Sequence, residues 1–445
     1  MDLLNKDFFT LTQDWNVINE TCFKQDPKLT AAINKLYICN KNVLFANSSL
    51  SLSLPERKLQ FNEVRQFLSQ SSDTKAKEKH PQKILEQMQN RRKTLIKKVE
   101  NILEDINKSA ENNETPKLII RNQRLWSNCI YDMDRVTLKS IRDAKKTTLC
   151  YSNHEDKTRF NTIVFVLTKL HELLTKNLTV TRRELFYQNV TRLGNQARLD
   201  VAVRDACCLL ETPPWSLGIV ATAKGLVAGP LTIYARDGSV IDCSASGGTL
   251  IPQDINGIKE FKTSAKYILL VEKDAVFQKL LDEGALLILG PVIILTGKGY
   301  PDVCTRQLLC RLCSELHLQA LALVDADPHG FEIFLTYKYG SLAQSHLSSS
   351  LACTSLLLLG ARCRDVMTLA PKEARMTLTQ LDKRKLASML KRPYLETGAG
   401  FHIKEELTSM LAGGVKAETE ALASTAAALC DAYLPAKLIQ ADFLG

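Results

Sequence analysis

Three short apolar runs in the second half of the chain constrain its fold more than any other feature. Tyr267–Val271, Pro291–Thr296 and Leu321–Val324 are apolar without alternation, as strands covered on both faces are. Segments of helical length follow them, at residues 273–284, 302–316 and 331–339. Strand–helix alternation at this spacing predicts a parallel sheet with helices on its faces.

Acidic residues follow two of these strands. Glu272 comes directly after the first, and Asp325 and Asp327 follow the third, where Pro328 and Gly330 break the chain. Open α/β sheets place ligands at the carboxyl ends of their strands. Carboxylates gathered there suit Mg²⁺, a hard cation with oxygen ligands, and would repel one another without a cation. The alternative for the Asp-Ala-Asp-Pro turn is that it only caps the next helix.

Charge and cysteine content narrow the functional class. The 445 residues carry a net charge of +10, which favours a polyanionic partner. The N-terminus is unlike a signal peptide, and no uncharged apolar run reaches the roughly 18 residues of a membrane span. We therefore expect a soluble intracellular protein without a membrane partner. The 13 cysteines do not resemble a secreted disulfide framework, and buried thiols are favoured over zinc for the Cys310/Cys313 pair.

The beginning of the chain has two parts. Residues 1–80 are weakly patterned and predict a weakly ordered extension. Residues 81–115 predict a long amphipathic helix, Ile84–Lys108, followed by a linker. The apolar stripe of this helix suits either packing on its own domain or binding of a partner.

Residues 116–255 predict a small helical domain that ends in β-structure. Asn161–Lys176 and Leu199–Leu210 are helical in pattern, and a short helix between them begins at a capping box. Short β-branched runs follow over residues 217–250. Three helices and a β-wing form the winged variant of the helix-turn-helix, whose third helix would carry Arg198 and Arg204 to DNA.

Residues 256–445 predict a second domain, the parallel sheet with a helical C-terminal extension. A basic run, Lys383–Lys385, lies in this extension. It is most simply a solvated helical face, and contact with phosphates is the alternative.

Several motifs in a fixed order resemble the family of topoisomerase VI A subunits and their meiotic Spo-eleven relatives. They are TRRELFYQN, VEKDAVFQKL, TGKGYPD, DADPHGFEIFLTYKYGS, LTQLDKRKLASMLKRP and VKAETEAL. The resemblance covers roughly residues 85–440. It implies a mixed α+β and α/β fold, in which a CAP-like winged-helix domain precedes a Rossmann-like Toprim domain with a parallel sheet.

The resemblance also implies an active site. Tyr187 falls on the family's nucleophile and Arg183 on the arginine close to it. Glu272, Asp325 and Asp327 fall on the Mg²⁺ ligands, and the turn at residues 297–301 falls on a DNA-contacting loop. The predicted DNA contacts are Arg182, Arg198, Arg204, Lys298 and Tyr300.

The function implied by the resemblance is meiotic double-strand break formation through a 5′-phosphotyrosyl protein–DNA intermediate. In this family two A-type chains act together on duplex DNA, and a topoisomerase VI B-like subunit is the partner. We expect a nuclear, chromosomal location. One alternative is a true topoisomerase VI A subunit, which is a type IIB enzyme that reseals what it cuts. Another is a non-catalytic DNA-binding scaffold, against which the presence of Tyr187 and the three carboxylates speaks.

Overall fold

The structure is a computed structural model that describes residues 26–47, 81–132, 135–396, 398–422 and 429–445. It divides into two compact units. The sheet unit holds the described residues within 1–42, 123–144 and 221–445, and the helical unit holds those within 43–122 and 145–220.

The elements are numbered in chain order. The α-helices are α1 (Pro27–Asn47), α2 (Pro81–Glu111), α3 (His154–Lys176), α4 (Arg182–Tyr187), α5 (Val190–Leu193), α6 (Gln196–Leu210), α7 (Asp274–Asp282), α8 (Ala285–Ile288), α9 (Val303–Leu316), α10 (Pro328–Lys338), α11 (Ser348–Leu351), α12 (Cys363–Leu369), α13 (Gln380–Leu390), α14 (Ala399–Gly413) and α15 (Leu434–Gln440). The strands are β1 (Lys117–Arg121), β2 (Cys129–Asp132), β3 (Arg135–Leu138), β4 (Lys146–Cys150), β5 (Val180–Thr181), β6 (Ile219–Val220), β7 (Leu226–Ala228), β8 (Leu231–Ala235), β9 (Val240–Asp242), β10 (Thr249–Leu250), β11 (Ile258–Thr263), β12 (Tyr267–Val271), β13 (Val292–Thr296), β14 (Gln319–Leu323), β15 (Leu357–Gly360), β16 (Met376–Thr377) and β17 (Val415–Lys416).

The large sheet of the sheet unit confirms the predicted parallel sheet. Its strand order is β10-β7-β13-β12-β14-β15, and β13, β12, β14 and β15 are parallel. Every residue of β12 and β13 is buried, which explains why their sequences do not alternate. Residue 271 pairs with residue 323, so β12 and β14 end at the same level.

The predicted β-wing differs from the structure. Strand β7 pairs antiparallel with β13 in the large sheet, and β8 pairs with β9 and β11. The division between the two compact units falls at 220, and residues 123–144 belong to the sheet unit. The domain ranges 116–255 and 256–445 stay predictions. The sequence predicts these strands but not the strands with which they pair, because strands of two to five residues carry few side chains that specify pairing.

The predicted weakly ordered extension, residues 1–80, also differs in part. Helix α1 lies within it, and Leu29 and Ile33 on this helix are buried in the core of the sheet unit. Lys266 donates a hydrogen bond to the Asn34 side chain. Leu36 and Tyr37 pack against the same core. The pattern missed this helix because its apolar residues do not follow a clear helical stripe. Residues 1–25 and 48–80 lie outside the described residues.

The helical unit is built from α2 to α6 with two small sheets. Helix α2 packs on α3 through buried Leu95 and Val99, and the Glu100 carboxylate lies 2.9 Å from the His171 ring. Of the two alternatives for this helix, packing on its own unit is therefore observed. Strands β1 and β4 pair antiparallel beside α6.

No helix in the described ranges has the length and apolar character needed to cross a lipid bilayer.

Truncation of Leu269 tests the core of the large sheet. Leu269 lies in β12 and is 1% exposed, whereas Leu287 on α8 is 51% exposed. We expect Leu269→Ala to lower the free energy of unfolding by about 2–5 kcal/mol, since it leaves a cavity. Leu287→Ala is the matched control and should change it little. Equal effects in denaturant unfolding would contradict this placement of β12.

Candidate active site

The ends of two neighbouring strands bring the first carboxylates together. Glu272 follows β12, and Asp325 follows β14 after one residue. The Asp325 backbone N–H donates a 2.9 Å hydrogen bond to Oε2 of Glu272. The Glu272 N–H donates to the Leu323 carbonyl at 3.1 Å, which continues the ladder past the last paired residues. The expectation that these acids meet at one sheet edge is thus met in the geometry.

Asp325 is buried, and its two oxygens have different partners. Oδ1 accepts hydrogen bonds of 2.8 Å from both the backbone N–H and the hydroxyl of Thr419. Oδ2 lies 3.1 Å from the Lys273 ammonium. The carboxylate is therefore fixed on one side and ion-paired on the other.

Asp327 caps helix α10. Its Oδ1 accepts hydrogen bonds from the backbone N–H groups of His329 (2.9 Å) and Gly330 (2.6 Å), and Pro328 occupies the first turn. The capping alternative for this turn is thus observed. It leaves the second oxygen of Asp327 available, so capping and metal binding do not exclude each other.

The electrostatics of this edge are unbalanced. Burial, followed by the negative charge of Asp325, raises the pKa of Glu272 from 4.5 to about 7. The Asp327 charge adds to this rise, and the hydrogen bond from the Asp325 backbone opposes it. Like charges crowd here beyond what the neighbouring lysine compensates.

The donor set suits a hard divalent cation, although it is not assembled around one. Within the described ranges, no three His, Cys, Asp or Glu side chains are arranged so that they could already hold a metal ion. The three acids nevertheless offer only oxygen donors, which Mg²⁺ prefers. Oδ2 of Asp325 faces a lysine ammonium, a place where a cation is already favoured. By the chemistry of their donor atoms, the residues therefore fit Mg²⁺.

Tyr187 and Arg183 lie on helix α4 of the helical unit. Thr181 caps this helix, and Glu184 completes the predicted capping box, with hydrogen bonds of 3.1 and 3.4 Å. Buried Leu185 anchors the helix. Tyr187 is 70% exposed and Arg183 is exposed four residues earlier, so both project from one face. Within the described residues neither side chain has a hydrogen-bond partner, which leaves both available to a ligand.

The other predicted arginines of the helical unit are held to different degrees. Arg182 lies 3.4 Å from the Asp200 carboxylate. Arg198 is exposed on α6, and Arg204 on the same helix is half-buried. The exposed Arg198 is the one of these three best placed for an external phosphate.

The turn at residues 297–301 carries the remaining predicted contacts. Lys298 has left-handed backbone (φ 52°), and its ammonium lies 3.0 Å from Asp274. Tyr300 is 46% exposed, and its hydroxyl accepts a 2.8 Å hydrogen bond from Lys385. The His329 ring lies 3.4 Å from the same hydroxyl. The basic run thus supplies one lysine, Lys385, near the acidic edge, which is the end of the parallel sheet that carries Glu272, Asp325 and Asp327.

Sequence reasoning missed Lys273 and the segment Glu418–Glu420. The Lys273 ammonium lies 3.2 Å from Glu418 and 3.1 Å from Glu420, as well as beside Asp325. The position of Lys273 directly after Glu272 was a usable signal. The approach of residues 418–420 was not readable, since almost 150 residues separate them from Lys273.

Models of known protein families match parts of both units. Residues 267–438 match the model of the Toprim domain shared by the A subunit of topoisomerase 6 and Spo11, and residues 158–219 match that of type IIB DNA topoisomerase. The meiotic recombination protein SPO11 of Mus musculus is 38% identical over 343 residues, which is 76% of this chain and 86% of that protein. SPO11 of Homo sapiens is 35% identical, over 77% and 87% of the two chains. The A3 subunit of DNA topoisomerase 6 from Oryza sativa subsp. indica is 37% identical over 72% of each.

The raised pKa of Glu272 predicts a pH dependence of stability. Between pH 4.5 and about 7 the folded chain keeps a proton on Glu272 that the unfolded chain has released, so this group lowers stability as pH rises. With a chelator present, Glu272→Gln should lose less stability than wild type between pH 5 and pH 8 in urea unfolding. The exposed control Glu260→Gln should keep the wild-type profile. A wild-type profile in Glu272→Gln would contradict the raised pKa.

Proposed function

Because this chain belongs to the family of topoisomerase VI A subunits and SPO11 meiotic recombination proteins, we propose that it makes meiotic DNA double-strand breaks by topoisomerase-like transesterification. The convergence of Glu272, Asp325 and Asp327 at one end of a parallel sheet carries this proposal. The exposed pair Tyr187 and Arg183 on the helical unit supplies the groups that the reaction needs.

Tyr187 is the nucleophile of this proposal. Its phenolic oxygen forms a bond to phosphorus of the DNA backbone while the bond between phosphorus and the 3′ oxygen breaks. The phenol loses its proton, and the leaving 3′ oxygen takes one up to become a hydroxyl. One phosphodiester is replaced by a 5′-phosphotyrosyl ester, which splits one difficult step into two easier ones.

Arg183 assists this attack from the same helix face. A phenol is a weak nucleophile at neutral pH unless a neighbouring group assists it. A guanidinium beside it holds the scissile phosphate and stabilises the charge that develops during the attack. The capping box and buried Leu185 fix helix α4, so that Tyr187 and Arg183 stay on the same helix face.

Glu272, Asp325 and Asp327 would hold Mg²⁺, which when bound neutralises phosphate charge and stabilises the leaving oxygen. Thr419 fixes one oxygen of Asp325, and the backbone of α10 fixes one oxygen of Asp327. Each of these two aspartates therefore presents its other oxygen in a defined direction.

Duplex DNA is the proposed substrate, and its backbone is the main source of affinity. Arg198, Lys298 and Tyr300 are exposed or half-exposed side chains that suit phosphate contacts. The helical unit, with α3, α4 and α6, would act as the helix-turn-helix reader, and Arg182 and Arg204 complete its basic face. The net charge of +10 supports such a polyanionic partner.

Further partners belong to the same proposal. Cutting two strands needs two tyrosines, so we place two copies of this chain at the break. The sequence holds no Gly-x-x-x-x-Gly-Lys-Ser/Thr loop, so any ATP hydrolysis would come from a topoisomerase VI B-like subunit. Action in meiosis places the chain on chromosomes in the nucleus.

The role of a topoisomerase VI A subunit is the second candidate function. The 37% identity to the rice A3 subunit favours it specifically. The larger share of the mammalian SPO11 proteins that the chain covers, 86% and 87%, favours the meiotic role. ATP-dependent relaxation of supercoiled DNA with a B subunit would decide for the topoisomerase.

Loss of the Tyr187 hydroxyl tests the nucleophile. We expect Tyr187→Phe, with its partners, to give no covalent protein–DNA adduct while it binds duplex DNA like wild type, because only the attacking oxygen is removed. Tyr151→Phe removes another exposed hydroxyl of the helical unit and should leave adduct formation unchanged. Adduct formation by Tyr187→Phe would rule out Tyr187 as the nucleophile, whereas absence of any adduct in wild type would favour the non-catalytic scaffold.

Mixing two inactive variants tests the proposed pair of chains. Tyr187→Phe keeps the carboxylates, and Asp325→Asn with Asp327→Asn keeps the tyrosine. If the tyrosine of one copy works with the carboxylates of the other, each mixed pair contains one complete site and gives single-strand nicks. If each copy uses its own carboxylates, the mixture should give neither nicks nor breaks in an assay of nicked and linear plasmid.

A further inference from the structure

The Lys273 ammonium forms ion pairs with three carboxylates. Its ammonium is 3.1 Å from Oδ2 of Asp325, 3.2 Å from Glu418 and 3.1 Å from Glu420. The Asp325 side chain is 9% exposed, and those of Glu420 and Glu418 are 34% and 58% exposed. The three partners thus form a series from the buried acidic edge to the solvent.

The segment that carries the two glutamates is fixed to the same edge. Ala417 and Ala326 exchange two backbone hydrogen bonds of 3.0 and 3.1 Å. Buried Thr419 donates twice to Oδ1 of Asp325. Glu418 and Glu420 flank Thr419, so their distance from Lys273 is set by the groups that position Asp325.

Lys273 occupies the oxygen of Asp325 that a metal would use. Thr419 takes Oδ1, which leaves Oδ2 as the donor atom that faces the Lys273 ammonium. A divalent cation and an ammonium on one carboxylate oxygen repel each other strongly at low dielectric. Binding of a metal at Asp325 therefore requires the ammonium to leave this oxygen.

We propose that Lys273 and the divalent metal exchange at Asp325, and that Glu418 and Glu420 hold the ammonium while the metal is bound. Both glutamates already lie within 3.2 Å of the ammonium, so Lys273 gives up one ion pair and keeps two. The lysine is a positioning residue: it keeps Asp325 compensated and sets how tightly the metal binds. This inference rests on the proposed metal site.

Binding of Mn²⁺ to the full-length chain, followed by electron paramagnetic resonance of the free ion, tests the exchange. Lys273→Met removes the competing charge, and we expect the affinity for Mn²⁺ to rise roughly tenfold, within the range by which groups around metal ligands change affinity. Lys279→Met on the following helix, α7, removes an equal charge from a residue that forms no ion pair with these three acids and should have little effect. Unchanged or weaker binding in Lys273→Met would overturn the exchange.

Glu420→Gln tests whether Glu420 holds the Lys273 ammonium while the metal is bound. Because one of the two carboxylates that hold the ammonium is lost, Lys273 should remain paired with Asp325 for a larger share of the time. The affinity of the chain for Mn²⁺ should therefore fall. Combined with Lys273→Met, the same substitution should have almost no effect, because its action runs through the lysine. An equal fall in both backgrounds would mean that Glu420 acts on the metal directly, which would overturn its role as holder.

Two further variants separate failure of this inference from failure of the metal site. Asp325→Asn with Asp327→Asn should lose Mn²⁺ binding; if it binds like wild type, the proposed metal site and the exchange both fail. If binding depends on these acids but not on the charge at residue 273, only the exchange fails. Lys273→Gln serves as a second neutral variant, and thermal unfolding shows that the compared variants are folded.

Discussion

The hydrogen bond from the Asp325 backbone to the Glu272 carboxylate is the constraint on which the acidic edge depends. It joins the ends of two neighbouring parallel strands at 2.9 Å. Helix α10 begins directly against them, and a Cβ on Gly330 would lie 2.4 Å from the Asp325 carbonyl and 3.0 Å from Glu272. Only glycine fits there, and the close approach that it allows crowds three acids.

This crowding explains the cations around the site. Burial and the neighbouring acids raise the pKa of Glu272, while Lys273 compensates Asp325. The C-terminal extension supplies the groups that hold both Asp325 and Lys273, through Thr419, Glu418 and Glu420. The extension is therefore part of the acidic edge and not an appendage to the sheet.

The sequence predicts those parts of the site that follow from local pattern. Strands β12 and β14 are continuous apolar runs, and the acids that follow them had to meet because parallel neighbours end at one edge. Thr181 and Glu184 likewise predicted the helix that presents Tyr187. Pairings over long separations were beyond reach: β7 joined the large sheet, helix α1 reached the core, and residues 418–420 reached Lys273. In each of these cases tertiary packing determines which segments meet, and the local sequence does not indicate the distant partner.

Identification of the residue that carries DNA after cleavage tests the proposed nucleophile most directly. Wild type would be reacted with duplex DNA and its partners, digested with nuclease and protease, and mapped by mass spectrometry. We predict a nucleotide 5′-phosphate on Tyr187, in the peptide that begins after Arg183. A phosphate on any other residue, or a linkage to the 3′ end, would contradict the proposed mechanism.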